Sequence, residues 1–312
     1  TGTGAGTVSF GAAIEGNSAT APFNDLLVIT SGTGDVTFSG AIGATNALGG
    51  LSVNASSGDG NITFSSTIGD TSNPGVVGTT SIGNTDTADL NFNAATYSFD
   101  GGTTTITAAS GDTIDMGALA ATSFTTAADN ITFATGTIEL LNGSNLTVDT
   151  GATGGDITIA SIAGTSVETV TLDAGTGALS VGAIGSGTEI GAVTLGSTDD
   201  GTVTLNGAIK TDGNVTITGP VSLATGAISV TTTNDNITFN DTINGTRALT
   251  LVAGTGTTTI QGEIGGSSAL ASLTITNGTA NGAIEIANIG GVTGATAIGN
   301  TNTGTITLDG TT

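Results

Sequence analysis

The side chains of this 312-residue chain that could do acid-base chemistry near neutral pH are carboxylates, since it has 25 Asp+Glu, 2 Lys+Arg and no His, Cys or Trp. Thiol nucleophiles, disulfides, Cys/His zinc sites and imidazole relays are thereby excluded. Asp199-Asp200 is the one adjacent acidic pair. Two neighbouring carboxylates can divide the work of sugar hydrolysis or chelate Ca2+, but with Gly201 following, this pair reads as a solvated corner. A sugar-cleaving site also calls for aromatic platforms and for cations against acidic sugars. The chain offers one Tyr and two separated cations, Lys210 and Arg247. Asp235 and Asp241 flank one strand-like triplet and could bind Ca2+ weakly as oxygen ligands on turns; the Gly-Gly-x-Gly-x-Asp order of Ca2+-binding β-rolls does not occur. The run Gly151 to Gly155 lacks the Gly-Lys-Ser/Thr and helix start of a phosphate cradle and reads as a turn. Asn-x-Ser/Thr recurs at Asn61, Asn130, Asn236 and Asn244, as chance provides in a chain so rich in Asn and Thr. No catalytic, cofactor-binding or metal-ligating residue is assigned, and no cofactor is expected beyond weak Ca2+ at acidic corners.

The elements that carry these residues must suit an unusual composition. Gly is 53 of 312 residues and Thr 66, whereas Phe, Tyr and Trp together reach 3%. A close-packed α/β enzyme does not look like this. Neither does a disordered chain, because 37% hydrophobic and 9% charged residues leave enough apolar surface to bury. The net charge of -23 excludes phosphate-neutralising partners, so neither nucleic acid nor an anionic membrane surface is expected. No 18-residue apolar stretch or basic n-region is visible. The first residue is Thr, which reads as a mature product or part of a longer precursor.

One tripeptide keeps returning: apolar, Thr, apolar. A first set includes Val36-Thr37-Phe38, Ile62-Thr63-Phe64, Ile131-Thr132-Phe133, Val203-Thr204-Leu205, Ile237-Thr238-Phe239 and Ile306-Thr307-Leu308. A second includes Leu146-Thr147-Val148, Val170-Thr171-Leu172, Val193-Thr194-Leu195, Val215-Thr216-Ile217 and Leu273-Thr274-Ile275, with Ile284-Glu285-Ile286 as a variant. Period two means strand, with apolar residues inward and Thr outward on a pleat that β-branched side chains favour. Ile42-Gly43, Ile68-Gly69, Ile184-Gly185, Ile264-Gly265 and Ile289-Gly290 mark corners, where Gly tolerates positive φ. Triplets recur at roughly 20 to 30 residues, and no helical stripe interrupts them. This predicts an all-β fold: a single-stranded right-handed parallel β-helix, or β-solenoid, of about twelve coils running continuously over residues 1–312. Residues 93–130, which hold Tyr97 and Met116, fit as less regular coils. The rival, two tandem immunoglobulin-like sandwiches, wants longer strands and bulkier core residues. Inward positions are predicted at Ile62, Phe64, Ile237, Phe239, Ile264 and Ile286, and outward ones at Thr63, Thr238 and Glu285. The single outward Thr per triplet reads as β propensity with cross-coil hydroxyl bonding rather than as an ice-binding array.

The stretches Asn61-Ile62-Thr63-Phe64-Ser65-Ser66-Thr67-Ile68-Gly69 and Asn236 through Thr276 give the chain a pattern that resembles the repeats of bacterial filamentous-haemagglutinin-like and autotransporter-type exoproteins. In the second stretch, Leu251-Val252-Ala253-Gly254-Thr255-Gly256 leads into Thr259-Ile260-Gln261-Gly262-Glu263-Ile264-Gly265-Gly266. The resemblance implies a large secreted surface protein used in adhesion, matrix formation or self-assembly. The expectation is a non-enzymatic extracellular or cell-surface structural protein, a rod, fibre, sheath or surface layer formed by end-to-end β-stacking of copies of itself. The alternative is an adhesin stalk or glycan-binding module, with extracellular glycans as partners, and a polysaccharide-acting enzyme is a distant third. Joining Ile306-Thr307-Leu308-Asp309-Gly310-Thr311-Thr312 to Thr1-Gly2-Thr3-Gly4-Ala5-Gly6-Thr7-Val8-Ser9-Phe10 reproduces triplet, Gly-Thr corner and triplet, so the ends are expected to continue the solenoid.

If the fold needs no metal, EDTA will leave the far-UV β signal of the purified chain unchanged. Loss of that signal would show that Ca2+ at the acidic corners is structural.

Overall fold

The computed structural model describes residues 6–18, 20–54, 59–117, 120–141, 143–165, 167–197, 201–278 and 281–310. Among these the chain is all-β, without a helix, and forms a parallel β-solenoid of about twelve turns. It divides into two compact units, residues 1–161 and 162–312.

In the first unit the turns stack as three ladders. One runs through Val8–Phe10, Val36–Phe38, Ile62–Phe64, Leu90–Phe92, Thr113–Met116 and Thr137–Leu140, each strand parallel to the next and in register. A second follows single-residue bridges from Ile14 to Ile42, Ile68 and Tyr97, then passes to Phe124 and Val148. The third joins Leu26–Ile29, Gly50–Val53, Thr80–Ile82, Thr104–Ile106 and Ile131–Phe133, and then Ile157 to Ile159. Identical register makes like residues stack. Phe10, Phe38, Phe64 and Phe92 form a column with centroids 4.8–5.2 Å apart and ring planes within 5–8°, close to the spacing of adjacent strands. Tyr97 turns this column, meeting Phe92 edge-on at 4.8 Å. Its hydroxyl accepts from the Ala94 N–H (2.9 Å) and donates to the Phe64 carbonyl (3.4 Å).

The stretch 93–130 hides its pattern because polar side chains sit at inward positions. Thr104 and Thr122 are fully buried where Ile131 and Leu146 stand one turn on. Met116 stacks between Phe92 and Leu140 and is buried.

The second unit repeats the plan. Val170–Asp173, Val193–Leu195, Val215–Ile217 and Ile237–Phe239 lead to Thr258, Ile284 and Ile306–Leu308 in one ladder. Two further ladders pass through Val203–Leu205, Val221–Leu223 and Ile243–Asn244, and through Ile209–Thr211, Ile228–Thr232, Ala248–Val252, Ser272–Thr276 and Thr296–Ile298. Division of the triplets into two sets does not survive. Ile237–Phe239, of the first set, pairs with Val215–Ile217, of the second, because corner length and not triplet type decides which strand lies over which.

Burial follows the period-two reading. Ile62, Phe64, Ile237, Phe239, Ile264 and Ile286 are buried. Thr63 and Thr238 are half-buried against their ladder neighbours, and Glu285 is exposed. Corners are as tight as the glycines imply: Gly43 has φ +65° and Gly265 φ +73°, and a Cβ on either would run into the backbone of Gly75 or Gly291 in the next turn.

Two substitutions in one ladder test this packing. Phe239 lies between Ile217 and Ile260 and is fully buried, so Phe239→Ala is expected to cost about 3–5 kcal/mol in denaturant unfolding. Thr258 sits between Ile237 and Ile284, buried, with no partner for its hydroxyl. Thr258→Val is expected to stabilise by about 1–2 kcal/mol; no gain would mean that the hydroxyl is satisfied.

Candidate functional site

Carboxylates and amides stand just before several strands, and they have a backbone task there. Asp35 Oδ1 accepts the Asn61 N–H (3.0 Å), Asn61 Oδ1 accepts the Asp89 N–H (3.2 Å), and Asp89 Oδ1 accepts the Thr113 N–H (3.1 Å). Asn130 serves Asp156 (2.8 Å), Asn214 serves Asn236 (2.9 Å), and Asn236 serves Thr257 (2.9 Å) in the same way. Each side chain thus caps an N–H one turn further on, much as an Asx residue caps a helix start. Asn244 Oδ1 accepts from Ser267 and Ser268 (2.9 and 3.1 Å). The Asn-Ile-Thr motifs at Asn61, Asn130 and Asn236 therefore have a physical origin: Ile-Thr opens the strand that follows each Asn, and the Asn side chain caps the start of the equivalent strand one turn on. The signal was present in the sequence as Asp or Asn directly before Val36, Ile62, Leu90, Ile131, Val215 and Ile237.

The other sequence candidates separate. Asp199-Asp200 lies outside the described residues. Asp241 folds back on Thr242, whose N–H it accepts at 2.5 Å, while the Asp235 carbonyl accepts the Thr232 hydroxyl, also at 2.5 Å. In the run from Gly151, the Gly151 N–H donates to the Asp149 carboxylate (2.7 Å) and the Gly155 carbonyl accepts the Thr150 hydroxyl (2.7 Å). That corner is filled by its own acid. Among the described residues no three His, Cys, Asp or Glu side chains converge on a metal-sized space.

Two features were not legible beforehand. In the second unit a shallow hollow of about 430 Å3 lies between Thr165, Val167, Thr188, Glu189, Lys210 and Asp212. Lys210 Nζ is 2.9 Å from Glu189 Oε1, and Glu189 also accepts the Thr233 hydroxyl (2.9 Å). The hydrogen bond from Lys210, then that from Thr233, holds the Glu189 carboxyl below its ordinary range. Beside the hollow, Glu168 is fully buried and accepts from the Thr165 hydroxyl (2.5 Å) and N–H (3.2 Å). In the first unit, register places Asp115 between Asn91 and Glu139 on an outward column. One carboxylate oxygen of Asp115 is buried without a partner. Burial pushes the Asp115 carboxyl above its ordinary range, the Thr113 hydroxyl opposes this, and the charge of Asp89 adds to it.

Chemically these arrangements cap backbone and set charge; none places an acid and a base across an enclosed pocket. In comparisons with family models, with curated proteins and with solved structures, nothing matches the chain.

Asp115 gives a pH test. A carboxyl whose folded pKa is raised makes the folded state bind its proton more tightly than the unfolded state. Its contribution to stability is therefore lost as pH climbs from the ordinary carboxylate value through the folded one. Asp115→Asn is expected to raise the melting temperature relative to wild type at about pH 8 and to lose that advantage near about pH 4. An equal difference at both pH values would remove Asp115 from the pH response.

Proposed function

We propose that the chain is a non-enzymatic structural protein of the bacterial surface or extracellular matrix, which assembles by stacking one solenoid end on another. The observation that supports this reading is the regularity of the stacking within each unit: strand lies on strand, parallel and in register, with like side chain over like in the Phe10-Phe38-Phe64-Phe92 column and along Thr171, Thr194, Thr216, Thr238 and Thr259, a pattern that further turns of the same kind would continue. The acid-only titratable inventory and the capping role of its carboxylates support a structural rather than a catalytic role. The resemblance of the repeats to filamentous-haemagglutinin-like exoproteins supports the extracellular setting.

Sedimentation velocity of the purified chain tests the reading. Concentration-dependent oligomers that lengthen into filaments by electron microscopy are expected. A wild-type chain that stays monomeric at every concentration would overturn the reading. Glycan binding by such a monomer would favour the alternative, an adhesin stalk or glycan-binding module.

A further inference from the structure

We propose that Asn281 is a site of spontaneous covalent modification, at which the side-chain amide is lost through a succinimide and replaced by aspartate and isoaspartate. Asn-Gly steps are the ones most open to this chemistry, because a residue without a Cβ lets the preceding carboxamide reach the following backbone nitrogen. The chain has five, at Asn142, Asn206, Asn244, Asn277 and Asn281. Asn142 lies outside the described residues, and the other four are held very differently. Asn244 Oδ1 accepts the Ser267 and Ser268 N–H groups (2.9 and 3.1 Å), while the Gly245 N–H donates to the Ser268 carbonyl (3.2 Å). Both reacting groups are engaged there. Asn206 Nδ2 donates to the Ser180 hydroxyl (3.0 Å), and Asn277 is fully buried with its Nδ2 on the Gly256 carbonyl (3.2 Å). Asn281 is exposed, and its carboxamide has no hydrogen-bond partner among the described residues.

Packing fixes the glycine that makes Asn281 reactive. A Cβ on Gly282 would run into the Gly256 carbonyl of the preceding turn and into the Asn277 side chain, so the stacking itself keeps Gly after Asn281. In the reaction the Gly282 nitrogen attacks Asn281 Cγ: the N–Cγ bond forms, the Cγ–Nδ2 bond breaks, and the Gly282 N–H proton leaves with the amide nitrogen as ammonia. Water then adds to one of the two imide carbonyls and opens the ring. Opening on one side gives aspartate, and opening on the other gives isoaspartate, whose main chain carries an extra methylene just before the strand Ile284–Ile289. Water is the sole co-reactant. Contacts that pin a carboxamide withhold the geometry of attack, so the bonds that hold Asn244 in its corner also protect it.

The test is to incubate the folded chain in mildly alkaline buffer, with a parallel sample in urea, and to read each Asn-Gly step by peptide mass spectrometry with fragmentation that separates aspartate from isoaspartate. In the folded chain Asn281 is expected to convert at least about tenfold faster than Asn244, and the two rates are expected to converge in urea. Asn281→Gln, whose longer side chain closes a ring of less favourable size, should show no conversion at residue 281 while keeping the wild-type far-UV signal. Equal rates at Asn281 and Asn244 in the folded chain overturn the proposal. A preference for Asn281 that persists undiminished in urea also overturns it, because neighbouring sequence rather than the fold then selects the site.

Discussion

Within each unit the fold depends on one constraint: every strand hydrogen-bonds to the equivalent strand of the neighbouring turn, parallel and in register. Parallel ladders place side chain over like side chain at the strand spacing of about 4.8 Å, so whatever stands at one position is repeated against itself. For apolar residues this is favourable, and the Phe10-Phe38-Phe64-Phe92 column is the result. Outward Thr stacks on Thr in the same way from Thr171 through Thr194, Thr216 and Thr238 to Thr259. A carboxylate fits the ladder less well: burial raises the Asp115 carboxyl above its ordinary range, and the charge of Asp89 adds to the rise.

Corners absorb everything the ladders cannot vary. Positive-φ glycines let the backbone turn where the next turn's backbone leaves no room for a Cβ. The Asp and Asn residues at strand starts receive N–H groups that a change of direction would otherwise leave unmatched. Several of the described carboxylates, Asp35, Asp89 and Asp149 among them, serve in this way. The same division bears on function. Smooth ladders of Thr offer repetition rather than an enclosed pocket.

The alternation of apolar residues and Thr was enough to place Ile62, Phe64, Ile237 and Phe239 inside and Glu285 outside, because period two is a property of the extended chain alone. The absence of His and Cys and the excess of carboxylates were enough to exclude whole classes of chemistry. The stretch 93–130 was harder to read because Thr104 and Thr122 occupy core positions, and a buried Thr looks in sequence like an outward one.

What the sequence by itself determined is thus the strand period, the Gly corners and the chemical inventory, all of which are local. Only the tertiary structure decided which triplet lies over which, since that depends on the summed length of three corners per turn, and those lengths vary. Stacking therefore set Ile237–Phe239 over Val215–Ile217 and Asp115 in line with Glu139. It also decided that Glu168 is buried against Thr165. Burial belongs to the neighbouring turn rather than to the residue, and a neighbouring turn is some twenty or more residues away along the chain.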